Sequence, residues 1–577
     1  MTIGMGPSVF APRAQKKVIG FLMSLVFSAM AGQAQTFRDF YDKGLTSYQK
    51  GEYAEAEGCF EKALTFGIEK ADVYYFLGMC AAFQGRPDDA ERALLSAIAL
   101  NPSFEECYVE IGGLYFKQKK YAASEWALKK ALKLDAGDAY ALDLLGTLYF
   151  IRGLQERALG QWNKVDRPVL NRLDLAGEGI KNRELAKKEL CFRPGQLLRP
   201  SQLQEARKRL REIDCYSGIS FSLAPSAEYP DQLDLLVSGN EEHGFGVLAA
   251  VLAGGLRDLP HQTAYVNFKN IFGHGVNLYS AYRWDKYQQK VGLALRVPRL
   301  LGTPFYYQLS YRDQKDRWSF GAPEDPLERE EFTQSEGELR LDVDYLLNNR
   351  VRLDHHLRIK RTSPLSLTGG ESSAAETVFL WGGDYTIGLI ESFDKRLTMD
   401  LSFSYDISAP NRLNPKRSYQ FVLAADVAKS WAPRLSEDYT GRFRARMTWG
   451  SSTSNTPFGE YFVLGLGPDV RHQLRAYRTT EGGKLGHSPL GREFVLLNLD
   501  YLHKLGRLSI VRIDGGLFFD GGRILDENRF NQEFGNSLLA DCGICLVAHV
   551  FHVSFQVSYA HSLNSKRQSF YISSILE

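Results

Sequence analysis

An alternation of apolar and polar side chains most limits what this 577-residue chain can fold into. From residue 243 onward, runs of about ten residues alternate in this way between turn-forming residues. The clearest run reads Val553, Ser554, Phe555, Gln556, Val557, Ser558 and Tyr559. Successive side chains of a strand point to opposite faces, so each run has one apolar and one polar face. Roughly sixteen runs, from His243–Gly255 to Arg567–Leu576, predict an antiparallel β-barrel of about 16 strands, although a soluble β-sandwich alternates too.

The N-terminus has the pattern of an export signal. Basic residues precede an apolar run from Val18 to Ala31, and small residues follow it. The basic residues are Arg13, Lys16 and Lys17. We expect a signal peptide over residues 1–34, cleaved after Ala31 or Ala34, rather than a membrane anchor, because the run is shorter than the roughly 20 residues of a spanning helix. With no long apolar run later in the chain, a membrane-spanning part must be a closed barrel, which we place at residues 242–577.

Small and large residues recur with a period of 34 residues before the barrel. The small residues are Gly44, Gly78, Gly112 and Gly146 in one column and Ala56, Ala90, Ser124 and Ala158 in another. The large residues are Phe60, Leu94, Leu128 and Trp162. Residues 35–166 therefore resemble tetratricopeptide repeats, an α-helical solenoid whose concave groove commonly binds peptides. Lysines 117, 119, 120, 129, 130 and 133 either line this groove or form a solvated helix face.

A small α/β module is predicted between the repeats and the barrel, over residues 167–241. From Val169 to Glu241 the pattern reads strand, helix, helix, strand, strand. With Pro194-Gly195-Gln196-Leu197 and Leu233-Asp234-Leu235-Leu236-Val237, it resembles a single POTRA domain. The resemblance implies that the module handles unfolded substrates by adding a strand to a sheet edge. Cys191 and Cys215 flank its second helix, and the sequence leaves open whether they form a disulfide.

Two motifs in the barrel region complement each other. The first is Leu474-Arg475-Ala476-Tyr477 in a loop, and the second is Phe518-Phe519-Asp520-Gly521-Gly522 in a strand. Phe518, Asp520 and Gly522 share one strand face, and a carboxylate inside a barrel is costly unless a cation reaches it. The motifs resemble the signatures of the BamA and two-partner-secretion transporter superfamily, the bacterial surface antigen barrels. The resemblance implies that Arg475 enters the lumen on a long loop and pairs with Asp520, supported by Leu474, Tyr477, Phe518 and Gly522.

Composition and motifs exclude several other functions. The formal charge of +2 argues against nucleic acid as a partner, and neither a phosphate-binding loop nor a nucleophile elbow is present. Adjacent strand residues such as His355 and His356 point to opposite faces and cannot bind one metal ion together. Cys542 and Cys545 lie in a strand-like run, where we expect them to pack in the barrel wall. We expect no enzyme, no cofactor and no metal, and a lipase-like barrel would need a nucleophile and a base that are not recognisable.

The resemblances together predict a protein of the bacterial outer membrane. Its barrel would assemble proteins into the membrane or translocate them through a lateral gate, at a seam between His243–Gly255 and Lys566–Glu577. The repeats and the POTRA-like module would lie in the periplasm and recruit substrate or partner proteins. The expected partners are the lipid bilayer, an unfolded or exported protein, and periplasmic proteins. The alternative is a barrel that exports exopolysaccharide or surface lipoprotein and has no POTRA module, so the fold of Val169–Glu241 distinguishes the two.

Overall fold

The computed structural model of this protein describes most of the chain. The described residues are 34–66, 70–175, 179–229, 231–242, 262–320, 330–363, 366–367, 376–392, 396–411, 414–431, 439–467, 470–509, 511–550 and 553–576. The expected signal peptide, apart from its last residue, and the expected strand His243–Gly255 lie outside these residues. The chain divides into two compact units. The first consists of the residues up to Gly153 together with residues 160–166, and the second consists of residues 154–159 and 167–577.

The repeat region consists of helices joined by short turns. Their bounds are 34–49 (α1), Tyr53–Leu64 (α2), Ala71–Phe83 (α3), Pro87–Leu100 (α4), Glu105–Lys117 (α5), Tyr121–Leu134 (α6), Ala139–Ile151 (α7) and Gln155–Trp162 (α8). None of the described helices is long and apolar enough to cross a membrane. The helices alternate in chain order as the 34-residue period requires, one pair to each repeat.

The periodic residues of the repeats lie against one another. A Cβ atom added to any glycine of the first column would come within 3.0 Å of the large residue of its own repeat, which is closer than side chains pack. These contacts join Gly44 to Phe60, Gly78 to Leu94, Gly112 to Leu128, and Gly146 to Trp162. The second column, consisting of Ala56, Ala90, Ser124 and Ala158, is fully buried. Small residues therefore set how closely the two helices of a repeat approach.

Two neighbouring glycines of α5 give a test of this packing. Alanine normally stabilises a helix interior by about 1 kcal/mol relative to glycine. At Gly112 the new methyl group would lie 2.9 Å from the Leu128 side chain, whereas at Gly113 its nearest neighbour is 3.7 Å away. We expect Gly112→Ala to lower the free energy of unfolding by about 1 to 3 kcal/mol because it overpacks the helix pair. Gly113→Ala should leave stability unchanged or raise it, and chemical denaturation followed by circular dichroism measures both changes.

The module before the barrel folds in the order strand, helix, helix, strand, strand. Its elements are Val169–Leu175 (β1), Arg183–Leu190 (α9), Pro200–Ile213 (α10), Tyr216–Pro225 (β2) and Gln232–Glu241 (β3). The sheet order is β1-β3-β2, with β3 parallel to β1 and antiparallel to β2. Cys191 is exposed, Cys215 is buried, and both are free thiols, so the structure does not contain the disulfide that the sequence left open.

The rest of the second unit is dominated by one large antiparallel sheet. Its long strands are Thr263–Ile271 (β4), Val276–Trp284 (β5), Gln288–Pro298 (β6), Tyr306–Phe320 (β7), Glu330–Leu346 (β8), Val351–Thr362 (β9), Glu376–Ser392 (β11), Leu397–Ser408 (β12), Ser418–Trp431 (β13), Gly441–Ser452 (β14), Glu493–Leu508 (β19), Val511–Ile524 (β20), Leu539–Val550 (β21), Val553–Ser562 (β22) and Gln568–Leu576 (β23). Short strands are Ser366–Leu367 (β10), Phe462–Val463 (β15), Thr480–Glu481 (β16), Lys484–Leu485 (β17) and Leu490–Gly491 (β18). In the described part, the sheet counts 18 strands, including β10, β16 and β17.

The sheet closes on itself into a barrel. Antiparallel registers of paired residues run from β4 to β9, from β9 to β11, through β14 to β19, and on to β23. The sheet order then places β23 next to β4. The first and last long strands of the described barrel are thus hydrogen-bonded neighbours, and they form the seam that closes it.

The two faces of the barrel wall differ as the alternation predicts. In β9, Leu357 and Ile359 are 59% and 42% exposed on the outer face, whereas His356, Arg358 and Lys360 are buried on the inner face. In β20 the exposed Leu517 likewise alternates with the buried Phe518. The sequence prediction of helical repeats followed by an antiparallel barrel, apolar outside and polar inside, is confirmed.

Candidate functional site

The loop between β14 and β19, residues 453–492, lies against the inner faces of strands on both sides of the lumen. Short strands give it its shape: β15 pairs with β18, and β16 pairs with β17. The β16–β17 hairpin turns at Gly482 and Gly483, which have φ values of +57° and +85°. Two consecutive positive φ values suit a tight two-residue turn, and glycine adopts them without steric cost.

Arg475 is the main polar anchor of this loop. Its Nε donates a hydrogen bond to Asp520 Oδ2 at 2.7 Å, and its Nη2 donates to Asp520 Oδ1 at 2.6 Å. Its Nη1 also donates to Asp500 Oδ1 at 2.5 Å, and its guanidinium carbon lies 3.8 Å from the Phe518 ring centroid. Arg475 is 6% exposed and Asp520 is fully buried. A paired, charge-assisted contact of this kind fixes both position and orientation of the loop.

Further polar groups complete the cradle around Asp520. Asn498 Nδ2 donates to Asp520 Oδ1 at 2.7 Å and to the Gln473 carbonyl at 2.8 Å. The backbone N–H of Ala476 donates to Asp541 Oδ2 at 3.0 Å. Ala476 does not have a positive φ, so its backbone conformation suits a residue with a side chain.

The supporting residues of the two motifs pack around the ion pair. Leu474 and Tyr477 are fully buried, and the Tyr477 hydroxyl lies 2.7 Å from Ser562 Oγ in β22. A Cβ atom on Gly522 would lie 3.3 Å from the Leu474 side chain, so the glycine lets the loop approach the wall closely. Ser569 Oγ in β23 donates to the Arg475 carbonyl. The structure thus brings Arg475 and Asp520 together with the predicted supporting residues, which are Leu474, Tyr477, Phe518 and Gly522.

An uncharged histidine lies beside this anchor. Burial, with Arg471 and Arg446 nearby, lowers the pKa of His472 to about 4. Its ring centroid lies 4.5 Å from that of Phe494 and 5.9 Å from that of Phe462. At neutral pH the imidazole is therefore neutral and packs as an aromatic ring of the loop core.

The loop has a second anchor on the opposite wall. Glu460 Oε1 accepts a hydrogen bond from Lys360 Nζ in β9 at 2.6 Å, and Lys360 lies 2.8 Å from Glu336 in β8. Lys484 pairs with Glu331, and Leu485 forms a parallel bridge to Trp318 in β7. Because its two anchors lie on opposite walls, the loop crosses the lumen.

An aromatic cluster strengthens this second anchor. Phe458 from the loop packs against side chains of β7 and β8, with ring centroids between 4.9 and 5.9 Å apart. Its partners are Trp318, Phe320, Phe332 and, from the segment after β20, Phe530. Inward-facing aromatic residues therefore fill this part of the lumen.

Sequence reasoning missed Asp500, Asp541 and Lys360. Asp500 shares the inner face of β19 with Asn498, and Asp541 lies opposite Asp520 in the register of β21 and β20. A charged residue in an otherwise alternating strand was a visible signal for each of them. What the sequence lacked was the register that aligns strands and the path of the loop to the far wall.

The POTRA-like module contacts the opposite end of the barrel. Glu212 at the end of α10 pairs with Arg296 of β6 and Arg352 of β9, each at 2.8 Å. Asn277 Nδ2 in β5 donates to the Ile213 carbonyl at 2.5 Å. The module therefore lies at the end where β4–β5, β6–β7 and β8–β9 are joined by short turns, and the lumen loop enters from the other end.

Comparison with known proteins identifies the helical region. Family models of the tetratricopeptide repeat match residues 41–106 and 105–138. Residues 41–138 are tetratricopeptide repeats. The matched residues include Gly44, Gly78 and Gly112 of the glycine column. No curated protein matches the chain.

Several solved barrels are similar to this chain. BamA from Haemophilus ducreyi lacking POTRA domains 1–3 is 13% identical, with a TM-score of 0.42, and the match covers 71% of this chain and 85% of that one. CdiB from Escherichia coli is 12% identical, with a TM-score of 0.48 and coverages of 71% and 77%. CdiB from Acinetobacter baumannii is 13% identical, with a TM-score of 0.45 and coverages of 78% and 82%. At such low identities and TM-scores, these similarities by themselves establish neither a family nor a function.

Proposed function

We propose that this protein is an outer-membrane barrel that assembles proteins into the membrane or translocates them through a lateral opening in its wall. The observation that carries this proposal is the junction of β4 and β23, where the first and last strands of the described barrel meet and close the sheet. Parting these two strands would free their edges. Unpaired strand edges offer backbone N–H and C=O groups to an incoming chain. A substrate strand can therefore be templated there by strand addition.

The lumen loop supports a barrel that opens at its wall rather than along its axis. Arg475 holds the loop on β20, and Glu460 and Lys484 hold it on the opposite wall. A loop anchored on both sides obstructs straight passage through the lumen. It also ties the strands next to the seam, since Ser562 of β22 and Ser569 of β23 both bond the loop.

The orientation follows from the two ends of the barrel. Outer-membrane barrels have short periplasmic turns and longer extracellular loops. The module lies at the short-turn end, and residues 453–492 connect strands at the other end. This supports a periplasmic place for the module and for the tetratricopeptide repeats that precede it. The exposed apolar outer face supports burial of the barrel in lipid.

The order of the module favours this function over the export alternative. Residues 169–241 fold as strand, helix, helix, strand, strand, which is the arrangement that an exopolysaccharide or surface-lipoprotein exporter would lack. Strand β2 lies at an edge of the module's sheet, where an extended substrate segment could pair with it as an additional strand. We assign the module to reception of unfolded chains on this basis.

The tetratricopeptide repeats would recruit substrate or partner proteins. All six lysines, at positions 117, 119, 120, 129, 130 and 133, are exposed. Two of them also form ion pairs: Lys120 with Glu91, and Lys129 with Glu125. An exposed basic surface favours partners with acidic segments. The exposure of these lysines agrees with a place in the groove and with a place on a solvated helix face. Recruitment through the groove is therefore proposed.

A disulfide across the seam tests the lateral opening. Cysteine pairs scanned along β4 and β23 are introduced into a full-length protein whose seven native cysteines have been replaced. We expect any pair that forms a disulfide to abolish function, with recovery on reduction, because the seam can no longer part. The measurement is the outer-membrane and surface proteome of cells that depend on the variant.

The matched control places cysteines at Leu546 and Val557, which already face each other in the register of β21 and β22. This disulfide joins two strands that the proposal keeps together, so it should leave the proteome unchanged. Normal assembly and secretion by an oxidised, fully crosslinked seam variant would contradict the proposed function.

A further inference from the structure

We propose that Asp342, Asp354 and His356 bind one divalent transition-metal ion on the inner wall of the barrel. Asp342 lies in β8, and Asp354 and His356 lie in β9. One potential ligand atom from each residue lies within 4.8 Å of the other two. Asp342 and His356 face each other in the strand register, and both are 5% exposed. The three side chains thus converge on one point of the inner wall.

The hydrogen bonding of His356 aims a lone pair at this point. His356 Nε2 lies 2.7 Å from Asp406 Oδ1 in β12, and Arg358 Nη2 lies 2.8 Å from the same oxygen. Asp406 pairs with Arg358, and a carboxylate only accepts hydrogen bonds, so Nε2 carries the hydrogen. The Nδ1 atom of the neutral ring is therefore the available ligand. Metal-binding histidines typically donate their other N–H to a carboxylate in this way.

The gap on the other side of the ring fits an ion better than a hydrogen bond. His356 Nδ1 lies 3.7 Å from Asp354 Oδ1, which is too long for a hydrogen bond. Within the described part of the chain, neither atom has a hydrogen-bond partner. Bonds of about 2.1 Å from a metal to nitrogen and to oxygen span this distance at an obtuse angle. A cation between the two atoms would satisfy both, whereas two facing acceptors in a buried site repel each other.

The surroundings leave room for the histidine and access for an ion. Gly382 of β11 faces His356 in the register, and a Cβ atom there would lie 2.5 Å from His356 Nε2. Asp342 and Asp354 also line a lumen cavity of about 300 Å³. Water in this cavity can supply the remaining coordination position. The site is therefore buried by its own wall and open to the lumen.

The charges favour a single divalent ion. Arg340 pairs with Asp342 at 2.6 Å, so this carboxylate is already partly neutralised. Asp354 Oδ1 lies 3.7 Å from His356 Nδ1, and the Asp354 carboxyl group also interacts with that of Asp344, which faces it in the strand register. One imidazole nitrogen and two carboxylates suit Zn²⁺ or a similar transition metal, whereas Ca²⁺ and Mg²⁺ prefer oxygen ligands throughout. The bound ion would join β8 to β9 and, through Asp406, bring β12 into the same network.

The adjacent His355 gives a matched control. It is exposed on the outer face of β9, whereas His356 is buried on the inner face. The expectation from sequence that the two histidines cannot share one ion is compatible with this site, which uses His356 alone. Substituting His355 or His356 removes one imidazole from the chain in each case, but only the substitution of His356 removes a proposed metal ligand.

The test uses full-length protein in lipid nanodiscs, purified with a tag that contains no histidine and stripped with a chelator. Zn²⁺ affinity is measured by competition with a chromophoric chelator, and the visible spectrum of bound Co²⁺ reports an imidazole and carboxylate site. We expect wild type and His355→Gln to bind Zn²⁺ equally. His356→Gln and Asp354→Asn should each weaken binding by at least about 100-fold, and Asp406→Asn by about 10- to 100-fold, as for loss of a ligand's hydrogen-bond partner.

X-ray absorption of Zn²⁺-loaded wild type keeps the proposal testable if a variant fails to fold. We expect one imidazole nitrogen among oxygen ligands. Zinc coordination without an imidazole, or with more than one, would overturn the proposal. Equal affinity of wild type and His356→Gln, or an equal loss in His355→Gln, would overturn it as well, and the buried His356 would then serve only as a proton-binding partner of Asp354 and Asp406.

Discussion

Arg475→Ala is expected to release the lumen loop from β20 and to abolish protein assembly or transport. The substitution leaves Asp520, which is fully buried, without its bidentate cation. Truncating one member of a buried ion pair typically costs about 3 to 5 kcal/mol because the remaining charge stays unpaired. The loss of the guanidinium stacked on Phe518 adds to this cost. We therefore expect the largest effect of any single substitution in the loop.

Two measurements follow the release of the loop. Heat-dependent migration in detergent gels reports the stability of the barrel, and limited proteolysis reports whether residues 453–492 have become accessible. Function is read from the outer-membrane proteome. Arg478→Ala is the matched control, because this exposed arginine of the same loop donates only to the Phe570 carbonyl among the described residues. Normal loop protection and transport in Arg475→Ala would refute the role assigned to the ion pair.

A double-mutant cycle separates the ion pair from general damage. Asp520→Ala alone leaves Arg475 with Asp500 as its charged partner, at 2.5 Å. Because Arg475 and Asp520 act on each other, the two substitutions together should cost clearly less than the sum of the single costs. Additive effects in chemical denaturation would mean that the two residues contribute independently.

Lys360→Met is expected to release the other end of the same loop. Lys360 is 6% exposed and lies between Glu336 and Glu460, at 2.8 and 2.6 Å. Without Lys360, the buried carboxylates of Glu336 and Glu460 lose the cation that they share. Arg312 still pairs with Glu336, and Arg358 still lies near Glu460. We expect a loss of about 3 kcal/mol in the free energy of unfolding, at the lower end for broken buried pairs.

The proteolysis pattern distinguishes the two anchors. Lys360→Met should expose the segment around Glu460 while residues 470–478 stay protected by Arg475. Lys315→Met is the control, since Lys315 is exposed on the outer face of β7. The double variant with Arg475→Ala and Lys360→Met should be destabilised by less than the sum of the two single effects, because each substitution releases part of the same loop. Unchanged cleavage around Glu460 in Lys360→Met would show that the aromatic cluster around Phe458 holds this end by itself.

The tetratricopeptide repeats were accessible from sequence because their contacts are local. Gly112 and Leu128 belong to one helix pair, so a fixed separation along the chain produces a fixed contact in space. The same reasoning gave the barrel its two faces, because side chains two apart in a strand share a face regardless of which strand lies next to it. The POTRA-like order of elements was visible for this reason, from periodicity and turn residues in a short segment.

The candidate site was predictable only in part. Arg475 and Asp520 were identified because an isolated carboxylate on a lumen face needs a cation, which is a rule about single residues. Asp500 and Asp541 were missed because their place beside the pair depends on the registers of β19, β20 and β21. Lys360 was missed because its partner Glu460 is distant in sequence and reaches it across the lumen.

The sequence by itself determined the repeat period, the two faces of every strand and the charge that must be neutralised inside the barrel. Only the tertiary structure decided that β23 and β4 close the barrel, that one loop is anchored on two walls, and that Asp342 faces His356. The physical reason is the range of the interactions. Periodicity depends on backbone geometry over a few residues, whereas register and loop path depend on the pairing and packing of distant segments, which no local pattern records.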